Sequence, residues 1–222
     1  MKTAFRLISG AVCALALPVY GYSLYIQLRQ IPDLSGNRFW FVAGALLWSI
    51  AWFLFPERFE SARTKQHELN HWLWVELMGG RFHSLQAGAR GGVVRYIYPY
   101  EWGREVIALA PYFFPLFALP LLGLKLLVQS AYEPWVCLFL GGAWAWFYLD
   151  LGYLLKHHLN GTAVQTDLTE SGALFSTLVL LGMNLFFTGM IWSGVSAQTS
   201  VGGFLREGPI EFYRFLLMWI PS

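Results

Sequence analysis

Residues 56–80 read PERFESARTKQHELNHWLWVELMGG, and whether this stretch crosses a membrane or only dips into one decides the fold. It opens charged, with Glu57, Arg58, Glu60, Arg63 and Lys65, and turns apolar from Trp72 to Met78. A helix is predicted from about Ser61 to Met78 and closed by Gly79-Gly80, because glycine takes the backbone conformation that follows a helix end. Within it His67-Glu68-Leu69-Asn70-His71 spell H-E-x-x-H. Positions i and i+4 of a helix share a face, so both imidazoles can grip one metal ion. Zinc accepts two histidines and a third ligand and leaves a fourth position for water. Glu68 is placed to take a proton from that water.

Outward from this stretch the chain is apolar. Its 222 residues are 56% hydrophobic and 13% charged, against about 25% charged in a soluble domain. With apolar runs near the length of a bilayer crossing, this predicts an all-α polytopic membrane protein of about five or six transmembrane helices. A single membrane domain is expected over 1–222, with a first span and linker at 5–38, a core at 39–160 and C-terminal spans at 161–222. The net charge of +2 is small and by itself argues nothing about nucleic acid, and the basic residues are dispersed without a patch, so no nucleic-acid partner is expected. Cys13 and Cys137 each lie in an apolar run and read as free thiols.

Span one is predicted over Phe5–Ile26. It reads as a retained helix and not a signal peptide, because the apolar run passes the A-x-A-like Ala14-Leu15-Ala16. Span two runs Phe39–Phe55 and stops at Pro56. Residues 81–98 hold Gly88, Gly91 and Gly92 between two β-prone stretches, Arg81–Leu85 and Val93–Ile97, and predict a small β-hairpin after the H-E-x-x-H helix. Span three, Glu105–Val128, carries Pro111, Pro115 and Pro120, so kinks are expected. Span four, Pro134–Leu155, carries Gly141, Gly142, Ala143 and Ala145, which permit close helix contact. Span five is Gly172–Val195. The apolar segment Ile210–Ile220 is short for a crossing and is expected at the interface.

The segment Pro56–Arg104 holds Arg58, Arg63, Lys65, Arg81, Arg90, Arg95 and Arg104, whereas Gln129–Glu133 holds no lysine or arginine. By the positive-inside rule the first is cytoplasmic and the second outside, which also makes the N-terminus, with Lys2 and Arg6, cytoplasmic. The setting expected is a bacterial inner (plasma) membrane. If the motif helix only dips into the bilayer, Asp150 in span four falls at the depth of the histidines. If it crosses, Asp150 sits about 20 Å away on the far side.

Asp150 is the acidic residue inside span four, and an intramembrane carboxylate is a functional candidate by default, here the third metal ligand. Asp167 is the second choice and also reads as a helix cap. His157 and His158 lie about 10 Å along the helix from Asp150, too far to bind the same ion without bending. They read as alternative ligands or residues that orient the ligands, as substrate contacts, or as interfacial residues beside Lys156. His83 reads as a surface residue and Asn160-Gly161-Thr162 as a loop turn.

The order of these parts resembles the site-2-type intramembrane zinc metalloprotease family. His67-Glu68-Leu69-Asn70-His71 is similar to its H-E-L-G-H signature, with Asn70 in place of glycine. Arg81–Tyr98 resembles its membrane-associated hairpin, Ala108-Leu109-Ala110-Pro111 the start of its next helix, and Leu149-Asp150-Leu151-Gly152 its L-D-G motif. The resemblance spans about residues 60–160. It implies that His67, His71 and Asp150 hold Zn2+, that Glu68 is the catalytic base and acid, and that the substrate is a membrane-associated protein or peptide. The hairpin, with Gly91 and Gly92, would meet the substrate as an extended strand. Two rivals stand beside this reading: another membrane-bound zinc hydrolase, and a non-catalytic scaffold or binding protein derived from a protease.

Overall fold

The computed structural model describes residues 2–29, 35–88, 91–97, 100–159, 168, 171–196 and 200–217. Its helices are α1 (Lys2–Arg29), α2 (Gly36–Leu54), α3 (Pro56–Leu77), α4 (Glu101–Phe113), α5 (Ala118–Leu127), α6 (Glu133–Leu159), α7 (Ala173–Val195) and α8 (Val201–Leu217). Between α3 and α4 stand β1 (Arg81–Gly88) and β2 (Gly91–Ile97). Four segments, Thr3–Arg29, Gly36–Leu54, Glu133–His157 and Ala173–Val195, are long and apolar enough to cross a membrane. The α4–α5 pair makes a fifth if counted as one bent span. The chain is therefore a helical polytopic membrane protein with one small antiparallel sheet.

Span three is not one kinked helix. It breaks into α4 and α5, which meet at 73°. Phe114 precedes Pro115, and a residue before proline is pushed out of the helical region; Phe114 is extended, at φ −99° and ψ 109°.

The order of contacts gives the helix directions. Asn37 hydrogen-bonds Glu133, Trp40 meets Trp135, and Trp48 and Trp52 both meet Trp146, so α2 and α6 run parallel. Their backbones touch at glycine: a Cβ on Gly44 would stand 1.8 Å from the Leu138 carbonyl oxygen, and one on Gly141 1.9 Å from that of Phe41. Small residues allow this approach in an apolar solvent, where close packing holds helices together. α1 and α7 also run parallel, through Phe5–Phe175, Tyr20–Phe186 and Gln27–Ser193. α2 opposes α7, since Arg38 bonds Ser196 and Phe41 meets Trp192. The path α4–α5 follows α7, from Tyr112 beside Asn184 to Leu122 beside Gly194. One end of the bundle thus gathers the starts of α1, α4 and α7 and the finishes of α2 and α6. At this end the buried Glu105 pairs with Arg6 at 2.7 Å.

α3 belongs to that end. It begins five residues earlier than the sequence predicts, at Pro56, which is favoured in a first helical turn, and Glu57 suits the same turn. Phe59 packs among Trp48, Trp52 and Trp146, His67 faces Tyr112, and Trp74 meets Phe113 and Phe114. These partners lie in the last turns of α2, the second half of α6 and the stretch just up to the α4–α5 break. α3 therefore crosses over from α2 and α6 to α4 without traversing the bundle, as a dipping helix should. Gly79, at φ +71°, ends it. β1 and β2 then pair from Arg81↔Ile97 to Gly88↔Gly91, with an irregularity at the exposed His83.

α8 is longer than the predicted Ile210–Ile220 segment, and its final neighbours, residues 218–222, lie outside the described residues. Phe204 meets Tyr20, Phe212 meets Tyr22, and a Cβ on Gly208 would touch Ser23. About 12 Å of α8 thus meets little more than one turn of α1, so it crosses α1 and does not run along it.

Candidate functional site

His67 and His71 fall one turn apart on α3, and their Nε2 atoms stand 3.2 Å from each other. Two nitrogens on a tetrahedral zinc, each about 2.0–2.1 Å from the metal, are separated by roughly 3.3 Å. His71 Nδ1 lies 2.9 Å from the Ile107 carbonyl oxygen of α4. A carbonyl only accepts, so Nδ1 carries the hydrogen and the neutral ring keeps a bare lone pair on Nε2. Orientation of a ligand imidazole by its second nitrogen is the usual arrangement around a bound metal. His67 is braced by the fully buried ring of Tyr112, with centroids 5.6 Å apart.

Glu68 is buried and turned toward the hairpin. A Cβ on Gly92 would stand 2.4 Å from Glu68 Cγ and 2.5 Å from Oε1. The backbone of β2 therefore lies against the glutamate side chain, and a side chain at position 92 would have to displace it. Gly91 pairs with Gly88 at the hairpin turn.

Asp150 is 4% exposed, and its Oδ1 has no hydrogen-bond partner among the described residues. On α6 it shares a face with Trp146 and Tyr153, both of which touch α3. It therefore lies at the histidines' end of the bundle and looks toward the motif helix. Arg63, one turn before His67, packs on Tyr153, one turn beyond Asp150 on that face. The described residues contain no group of three His, Cys, Asp or Glu side chains set to share a metal, so Asp150 is not drawn into a cluster with the histidines. His157 packs on Tyr153, with ring centroids 4.2 Å apart. The His158 side chain, Asp167 and the Asn160-Gly161-Thr162 sequon lie outside the described residues.

Several site residues carry no motif and were missed from the sequence: Arg63, Tyr112 and the Ile107 carbonyl. Gln66 and Asn70 form a buried stripe with Arg63, at spacings of three and four. Asn70 has no exposed surface, and both of its amide atoms lack a partner among the described residues, as does Gln66 Oε1. The one available signal was that stripe, since polar residues recurring at helical spacing on an otherwise membrane-bound helix face something polar.

The fold and site together define a polytopic membrane protein with a buried H-E-x-x-H helix at one end. Comparison with protein-family models, with curated proteins and with solved structures finds no match to this chain.

Proposed function

We propose that the chain is a membrane-embedded zinc metalloprotease that hydrolyses peptide bonds of membrane-associated proteins. The observation that carries the reading is the convergence of two Nε2 atoms at tetrahedral-ligand spacing, with the Ile107 carbonyl placed to accept from His71 Nδ1–H and so favour the neutral tautomer that leaves Nε2 bare. His67 and His71 fit as two zinc ligands. The third is a carboxylate, from Asp150 or from Asp167. Leu168, the neighbour of Asp167, is buried in the same cluster as Tyr112. A zinc ion held there supplies Lewis acidity and a water made acidic enough to ionise near neutral pH. Glu68 takes that proton and returns it to the leaving amine. Gly92 keeps β2 close enough for an extended substrate segment to run past Glu68 as an added strand. The cytoplasmic placement of this end follows the positive-inside rule applied to the basic residues of 56–104, and the membrane proposed is a bacterial plasma membrane.

Three variants test the chemistry. Glu68→Gln should keep the zinc and lower cleavage of a membrane-reconstituted peptide by about 10²–10⁴-fold. Full activity in that variant would remove Glu68 from the mechanism. Asp150→Ala and Asp167→Ala, assayed for zinc content, identify the third ligand as the one whose loss empties the site. Zinc retained in both would place that ligand elsewhere. A protein that binds zinc but cleaves nothing would favour the scaffold reading.

A further inference from the structure

The guanidinium of Arg63 is held between two aromatic rings from two other helices. Its Cζ lies 3.8 Å from the ring centre of Tyr153 on α6 and 5.2 Å from that of Trp52 on α2. Cation–π contacts strengthen when the cation leaves water, and Arg63 is half-buried in the bundle. Tyr153 is one turn beyond Asp150 on the same α6 face, so the ring that anchors the guanidinium brings it beside the turn that carries the carboxylate. Asp150 is nearly buried with one oxygen lacking a hydrogen-bond partner among the described residues, and a carboxylate taken out of water needs a nearby positive charge. Arg63 stands one turn before His67, so whatever fixes it fixes the depth at which the histidines meet α6.

We propose that Arg63 is a positioning residue of the candidate site: clamped by Trp52 and Tyr153, it provides the counter-charge of Asp150 and sets the register of the motif helix against α6. Neighbouring charges do not substitute for it. Lys65 lies on another face of α3, Glu60 shares the face of Arg63 but carries the same sign as Asp150, and Lys156 and His157 lie a turn or more beyond Asp150. The planar guanidinium is suited to stacking on two rings while still presenting its edge to a carboxylate, which an ammonium does less well.

The test is a double-mutant cycle on the full-length protein in detergent or nanodiscs. The variants are Arg63→Gln, Asp150→Asn and the pair together, with Arg63→Lys as the charge-preserving control. Unfolding is measured without metal, and zinc affinity by competition with a chelator. Arg63→Gln should lower the unfolding midpoint by several degrees in the parent and by less than a third as much in the Asp150→Asn background. Arg63→Lys should recover at least half of the loss. Zinc affinity should fall about tenfold in Arg63→Gln. Equal losses in both backgrounds would overturn the proposal, because a packing role of Arg63 does not depend on Asp150. Unchanged zinc affinity in Arg63→Gln would overturn the positioning role. The zinc arm rests on the reading of His67 and His71 as ligands. If the parent binds no zinc, that reading fails, and the metal-free cycle still decides whether Arg63 and Asp150 are coupled.

Discussion

At the scale of single residues, the site turns on contacts that an H-E-x-x-H motif does not specify. His71 is aimed by a backbone carbonyl and Glu68 by a glycine. Gly92→Ala should therefore act on Glu68 and leave the histidines alone. Its methyl group would overlap the glutamate side chain, so cleavage should fall at least tenfold while zinc content stays near that of the parent. Gly88→Ala is the matched control, since nothing lies within 4 Å of a Cβ there. Equal activity in the two variants would show that Glu68 needs no such close strand. The motif itself was plain in the sequence because its spacing encodes the shared helix face. Arg63, Tyr112 and the Ile107 carbonyl were not, because each owes its role to a neighbour far along the chain.

At the scale of elements, the close seam between α2 and α6 holds the end of α2, from which α3 departs, next to the α6 turn that carries Asp150. The seam depends on Gly44 and Gly141, where backbone meets backbone. Gly141→Leu would force the helices apart and should cost several kcal/mol, as overpacking of a tight interface does. The expected result is a lower unfolding midpoint or loss of folded protein by size-exclusion chromatography. Gly152→Leu, with open space at that position, should be tolerated. The small-residue run was legible as a contact surface, though not its partner helix. Proline placement was legible as disruption, yet the sequence predicted kinks where the chain makes a 73° turn. The difference comes from Phe114: one residue forced into extended backbone before Pro115 ends α4 outright. The start of α3 was misjudged because its charged first turns look like a loop, while Pro56 and Glu57 suit a helix N-terminus.

At the scale of the whole molecule, the parallel pairs α1–α7 and α2–α6 run opposite to one another, and α4–α5 follows the first pair. This is the arrangement in which α3 returns to the end it came from and Asp150 lies on the histidines' side. The orientation proposed above, with that end in the cytoplasm, follows from the positive-inside rule applied to the basic residues of 56–104. Cysteine labelling checks the orientation. Ser130→Cys, between α5 and α6, should react with an impermeant thiol reagent added to intact spheroplasts, and Ser61→Cys only after lysis. The reverse pattern would turn the site outward. The helical, membrane-spanning character was legible from hydropathy, because a bilayer enforces it, whereas the sequence left open whether the motif helix dips or crosses. The course of α8 across α1 was only partly legible, since an amphipathic segment reads the same whether it lies on lipid or on a helix pair.

The central claim is that His67 and His71 hold a metal beside Glu68. It is tested most directly by the metal content of the purified protein, its Glu68→Gln variant and its His71→Ala variant. The account predicts about one zinc per chain in the first two and loss of zinc in the third. Zinc undiminished in His71→Ala, or absent from the parent after purification with zinc present, would contradict it.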